Sequence, residues 1–165
     1  MSNFVLTLSP EDRAFLQIEH LSMVAASRSS KNIPFLARAV GRRFGPDLRQ
    51  ITLFFSSADA QDMLERIAGS GMIAAVFSLP STHQTLQLKG SDARIDKVLK
   101  NDVQLVASYR RAVVDQLEEL GFARPLIDTM LACEPGDLSA VTFTPSAAFS
   151  QTPGPNAGRA IGGSK

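Results

Sequence analysis

Three arginines stand within six positions in Arg38-Ala39-Val40-Gly41-Arg42-Arg43, a segment that is otherwise apolar. A guanidinium is permanently charged and presents a planar fork that can hold a carboxylate or phosphate through two parallel hydrogen bonds. Side chains on a continuous strand alternate faces, so Arg38 and Arg42 are expected on one side and Arg43 on the other, with a same-face pair able to grip an anion. A solvated or ion-paired edge strand is the plainer reading of the same three charges. A second candidate is Phe54-Phe55-Ser56-Ser57, where a strand ends in hydroxyls just before a short helix. Unpaired amides at a helix start carry partial positive charge and suit phosphate, while capping of that helix by Ser57 or Asp59 is the plainer use of the same residues. A third candidate is the polar turn from Ser81 that enters an alternating strand ending at Gly90. Its Gln84 and Gln87 both donate and accept hydrogen bonds, which suits a ligand with a mixed polar edge.

Other combinations fail on spacing. His20, His83 and Cys133 fall on separate elements without the intervals of a metal site or a nucleophile set, so no metal is expected and the catalytic residues are unknown. Gly158 to Lys165 echoes a phosphate-binding loop but reads Gly-Ser-Lys where such a loop needs Gly-Lys-Ser. The bulk properties narrow the function classes further. Seventeen basic against 16 acidic residues leave a formal charge of +1, which provides no basic field for nucleic acid or an anionic membrane surface. A single cysteine excludes an internal disulfide framework and fits a reducing cytoplasm. The longest strongly apolar run, Met72 to Phe77, is too short to cross a bilayer, and Met1 to Arg13 shows no export signal.

The elements that must position these groups follow from periodicity and turn chemistry. Ser9-Pro10-Glu11-Asp12 predicts a helix start, with the helix running to about Glu19. Met23 to Ala26 and Ile33 to Arg43 predict a β-hairpin around the polar stretch Ser27 to Asn32, and Gln50 to Phe55 a third strand after Gly45-Pro46-Asp47. Helical spacing within Ala58 to Ala68 is stopped by Gly69-Ser70-Gly71. Met72 to Phe77 reads as a strand buried on both faces, and Thr85 to Gly90 as an alternating one. A long helix runs from about Asp102 to Gly121 with Val106, Tyr109, Val113, Leu117 and Leu120 on one face. A short helix over Pro125 to Ala132 and a last strand over Ser139 to Thr144 precede a Gly/Pro-rich tail from Gln151 to Lys165.

In this order the pieces resemble the pyridoxamine 5'-phosphate oxidase-like family of FMN-binding split barrels. The likeness spans roughly Leu16 to Gly90, and the later long helix and final strand also fit. The resemblance implies an α+β, mainly β fold: a six-stranded antiparallel split β-barrel of Greek-key type with flanking helices. It places an FMN-binding domain over residues 1–150, followed by the tail at 151–165. It implies Arg38 and Arg43 near the flavin phosphate, Ala39, Val40 and Gly41 along the ring, and Ser56 with Ser57 as strand-end hydroxyls. Gln84, in the pair His83-Gln84, becomes a flavin contact reaching across a homodimer. The implied function is an FMN-dependent oxidoreductase acting on a small, unidentified substrate. A non-catalytic dimer that carries flavin, haem or a related planar ligand, and a barrel that has lost its ligand, are the alternatives. Two departures bear on that choice. Gln61-Asp62 stands where the family has an Arg-Lys pair that neutralises phosphate, and the chain has no Trp for the oxidase's substrate motif. The tail residues Gln151 to Arg159 offer free amides and a guanidinium that could fold over a bound anion.

Overall fold

The computed structural model describes residues 6–164. Met1 to Val5, where the expected first domain and the amino-terminal reading begin, and Lys165, the end of the loop-like Gly158–Lys165 run, lie outside the described residues. In chain order the elements are β1 (Leu6–Thr7), α1 (Pro10–Leu16), β2 (Ser22–Arg28), β3 (Pro34–Arg38), β4 (Gly41–Phe44) and β5 (Ile51–Ser56). Then come α2 (Ser57–Ser70), β6 (Ile73–Ser78), β7 (Thr85–Gly90), β8 (Arg94–Asp96), α3 (Asp102–Glu119) and α4 (Arg124–Met130). The chain closes with β9 (Leu138–Phe143), β10 (Ala147–Ser150), β11 (Ala160–Ile161) and β12 (Gly163–Ser164).

All the strand pairings are antiparallel and fall into separate ladders. Six strands form one sheet in the order β11-β10-β7-β6-β2-β3, four form a second in the order β4-β5-β9-β8, and β1 pairs with β12. The inner faces of the two large sheets share a core in which Phe55, Phe77, Phe143, Leu53 and Met23 are fully buried. Among the described residues the architecture is therefore mixed, with antiparallel sheets and four α-helices around a main core and a smaller cluster at Val40, Phe54 and Ala140.

The predicted strand over Ile33 to Arg43 is two strands. After the hairpin turn, β3 pairs with β2 as far as Arg38 opposite Val24. The next amide, Ala39 N–H, still donates to the β2 residue Met23 (3.0 Å), but Val40 N–H donates to Phe54 in the other sheet (2.8 Å). Ala39 and Val40 are both buried, so the chain bends inward there and β4 continues against β5. Alternation of side chains does not carry across such a corner, and the expectation that Arg38 and Arg42 share a strand face fails for that reason.

Ser9 caps α1 by accepting from Asp12 N–H (3.1 Å) with Pro10 in the first turn, and the helix ends at Leu16, three residues early. α2 begins at Ser57 under the Ser56 cap and ends at Gly71, which adopts a left-handed φ of 66° and donates to Ile67 O (2.8 Å). β6 departs from its doubly buried reading. Ile73, Ala75 and Phe77 face the core while Ala74, Val76 and Ser78 are half-buried on the opposite face, because small residues there leave little surface to cover. β1, β8, β10, β11 and β12 have no counterpart in the sequence reading. The tail is paired rather than free: Gly158 N–H donates to Ser150 O (2.7 Å), Gln151 N–H to Thr85 O (2.8 Å), and Thr152 Oγ1 accepts from Thr85 N–H (2.9 Å).

A Cβ built on Gly71 would lie 2.8 Å from Ser91 O, in a conformation that side chains already disfavour. Gly71→Ala is expected to destabilise the fold by roughly 1–3 kcal/mol in a urea melt. Gly69→Ala, in the last turn of α2 where an added Cβ meets nothing within 4 Å, should be neutral or stabilising by up to about 1 kcal/mol. Equal effects would contradict this assignment of the helix end.

Candidate functional site

The three arginines reach three different surroundings. Arg43 Nε lies 3.3 Å from Oδ1 of Asp102, whose carboxylate is almost fully buried and whose Oδ2 accepts from Leu99 N–H (2.7 Å). This ion pair ties β4 to the first turn of α3. Arg42 is half-buried, donates to Ile18 O and towards Met23 Sδ (3.5 Å), and stacks over the Phe44 ring at 5.3 Å. Burial pulls its pKa down to about 10, against the neighbouring Tyr109 and Glu19, which raise it, so it remains charged at neutral pH. Arg38 is half-buried and donates from Nη1 to Ser22 Oγ (2.9 Å). Among the described residues it has no carboxylate partner.

Arg38 opens instead onto a cavity of about 270 Å³ between the end of the six-stranded sheet and the α3–α4 pair. Its floor is Arg38, Ser22 and Tyr109, and its walls are Val113 and Leu117 of α3 with Ile127 of α4. Tyr109, the only tyrosine, donates to Leu21 O (2.8 Å), and burial pushes its phenol up to about 12, with Arg42 and Arg38 pulling the other way. The rim is built by the end of α3. Gly121 takes φ 90°, Gly121 N–H donates to Glu118 O (2.9 Å) and Phe122 N–H to Leu117 O (3.0 Å), the paired bonds of a Schellman turn. That turn brings Phe122 back to Leu117, and both line the cavity. Two ion pairs clamp the helices together, Arg110 of α3 with Asp128 of α4 (3.2 Å) and Arg124 of α4 with Glu118 of α3 (3.6 Å).

The strand-end hydroxyls are already engaged. Ser56 Oγ accepts from Asp59 N–H (3.3 Å) and donates to Asp137 Oδ2 (2.7 Å), while Ser57 Oγ donates to Asp137 O (2.8 Å) and sits 2.6 Å from Ser139 Oγ. The positive end of α2 thus faces the protein's own carboxylate, which satisfies it and repels a second anion. Gln61 and Asp62 are exposed further along that helix. Ala39, Val40 and Gly41 are buried, and a Cβ on Gly41 would lie 3.0 Å from Val106 Cγ2, so the close backbone approach there is to α3. Gln84 is exposed in the β6–β7 turn, which also supplies Pro80 to the Arg38 cavity. The structure therefore brings Arg38 and the Gln84 turn to one end of the sheet and assigns Arg43, Ser56 and Ser57 to internal contacts. Cys133 packs near Val40 and Phe54, its thiol pushed up by burial and by Asp137, Asp59 and Glu134. No helix among the described residues is long and apolar enough to cross a membrane.

No protein-family model and no curated protein matches the chain. Solved structures do. HupZ of Group A Streptococcus is similar over 92% of this chain and 100% of its own, with a TM-score of 0.53 and 14% identity. A candidate pyridoxamine 5'-phosphate oxidase from Lactobacillus delbrueckii is similar over 86% of this chain and 93% of its own, with a TM-score of 0.50 and 12% identity. The fold is pyridoxamine 5'-phosphate oxidase-like. The conserved hypothetical protein Rv2991 from Mycobacterium tuberculosis shares it, with a TM-score of 0.52, 13% identity and coverage of 88% and 85%. At these identities the likeness is one of backbone architecture, and within this oxidase-like fold the cavity residues Tyr109, Phe122, Leu126 and Met130 were not singled out as a site from sequence. The available signal was a lone tyrosine in an aliphatic helix face followed by apolar residues after the helix stop.

The Tyr109 phenol titrates near 10 in an unfolded chain and near about 12 here. Between those values the folded state keeps a proton that the unfolded state has lost, so its contribution to stability falls as pH rises through that window. Tyr109→Phe should cost roughly 1–3 kcal/mol at about pH 8, where Leu21 O loses its donor. The gap to wild type should narrow by about 1 kcal/mol at pH 11 in urea melts. A gap independent of pH would mean the phenol is solvated.

Proposed function

We propose that this protein is a ligand-binding module of the oxidase-like fold that pairs with a second copy of itself and takes a flavin-type ligand, FMN, at Arg38, with no catalytic group of its own. The observation that carries this reading is a half-buried guanidinium held by a serine, facing a cavity, with no carboxylate beside it. An ion held by one charged donor pair gains far more in such a partly desolvated place than in water. The fit to the remaining FMN cradle is poor. Asp137 occupies the amino end of α2 and Asp102 holds Arg43, so a doubly charged phosphate is offered one guanidinium rather than a cluster. That argues for a carrier or sensor over an oxidoreductase, whose redox chemistry would have to come from the flavin alone.

Pairing of two copies is supported by the outer face of the six-stranded sheet. Val24, Ala26, Ala74 and Val76 form its half-buried middle, and Leu36 beside them is 62% exposed. A face this apolar next to the Arg38 cavity suits a second copy of the same sheet.

The test is the visible spectrum of the purified protein followed by an FMN titration, with light scattering for mass. Weak, saturable FMN binding by a dimer is expected. Arg38→Ala should weaken it ten- to a hundredfold, the loss of a contact worth roughly 1.5–3 kcal/mol. Asp137→Asn should leave it within about twofold, since α2 is not the phosphate site. A protein that ignores FMN, or one whose affinity is untouched by Arg38→Ala, would remove this reading.

A further inference from the structure

We propose that the cavity between Arg38 and the α3–α4 pair binds an amphipathic monocarboxylate, an alkyl or aryl acid of about ten heavy atoms. The inference rests on the same reading of Arg38 as an unpaired anion anchor, and it names a different ligand chemistry for it.

The polar part of the cavity is small and of one sign. Nη1 of Arg38 is used by Ser22, which fixes the guanidinium and leaves its other donors for a ligand. Arg42 also acts electrostatically on Tyr109 and adds to the positive potential, with Glu19 its acidic neighbour. Tyr109 stays neutral and donates its proton to Leu21 O, and among the described residues no Asp or Glu borders the cavity. A single carboxylate would neutralise one guanidinium through two parallel bonds. A dianionic phosphate such as that of FMN would keep one uncompensated charge there, so it binds this cavity more weakly than a monocarboxylate does.

The rest of the cavity is apolar and unusually exposed. Phe122 and Leu126 are 51% and 61% accessible and Met130 joins them at the rim, three large apolar residues gathered at one mouth rather than scattered. A water occupies about 30 Å³ of liquid, so 270 Å³ holds about nine heavy groups. The size and the gradient from charged floor to apolar rim match an acid headgroup with a short hydrocarbon or aryl tail. The Arg110–Asp128 and Arg124–Glu118 bridges hold the two helices together from outside the cavity.

Isothermal titration of the full-length protein with octanoate and with 3-phenylpropanoate tests this, with butyrate and octylamine as controls and FMN titrated separately. Octanoate, phenylpropanoate or both should bind with a stoichiometry of one, and the response tells an alkyl from an aryl acid. Butyrate and octylamine should bind at least about tenfold more weakly. Arg38→Ala, checked for an unchanged melt, should weaken octanoate about tenfold or more. Leu126→Asp, at an exposed rim position that folding does not need, should weaken octanoate similarly. FMN binding retained with no binding of either acid would overturn this inference and leave the flavin reading standing. Binding of an acid without binding of FMN would do the reverse. Equal octanoate affinity in wild type and Arg38→Ala would mean apolar partitioning only, and would also overturn it.

Discussion

A buried positive charge needs an answer, and the corner at Ala39-Val40 decides which answer each guanidinium receives. Before the corner, Arg38 belongs to the six-stranded sheet and finds only a serine. After it, Arg42 turns inward to a main-chain carbonyl and a phenyl ring, and Arg43 reaches a buried aspartate at the start of the long helix. Were the segment one straight strand, the charges would alternate across a single sheet and none would be set apart. The backbone transfer from Met23 O to Phe54 O, two amides in succession, thus separates a structural ion pair from a ligand-competent cation.

The same logic operates at the helix ends. The oxidase-like fold brings a strand-end serine to the start of α2, a place that attracts anions, yet the turn ahead of β9 delivers Asp137 to it from 81 residues away. Meanwhile the Schellman turn at Gly121 gathers Phe122 and Leu117 on one side of Tyr109. Charge is therefore neutralised where the fold would otherwise welcome a phosphate, and apolar surface accumulates where a cation has been left without a partner. The two effects push the chain's chemistry toward singly charged, partly apolar ligands.

Much of the fold was legible because the signals were local. The Ser9-Pro10 cap, the hairpin turn at Ser29 to Asn32, the alternation of Thr85 to Gly90 and the stops at Gly71 and Gly121 each act within a few residues, and each element lies where its pattern placed it, within two or three positions at its ends. What escaped was either too short for periodicity or set by distant contacts. β8, β11 and β12 have two or three residues each, and they exist because a neighbouring strand offers a free edge. The break at Ala39-Val40 is invisible in composition, since both flanks are extended and apolar. The engagement of Ser56 and Ser57 could not be seen at all, because their partner is remote in sequence. Of the implied ligand contacts, Arg38 borders a cavity, and Gln84 lies exposed in the β6–β7 turn that supplies Pro80 to the same cavity.

Side-chain NMR of the arginine Nε–H groups in isotope-labelled protein, recorded during addition of octanoate, observes this partition directly. The Arg38 resonance should move to saturation while those of Arg42 and Arg43 hold their positions. Movement of Arg43 with Arg38 unchanged, or three stationary resonances, would contradict the assignment of one free anion anchor at the sheet corner.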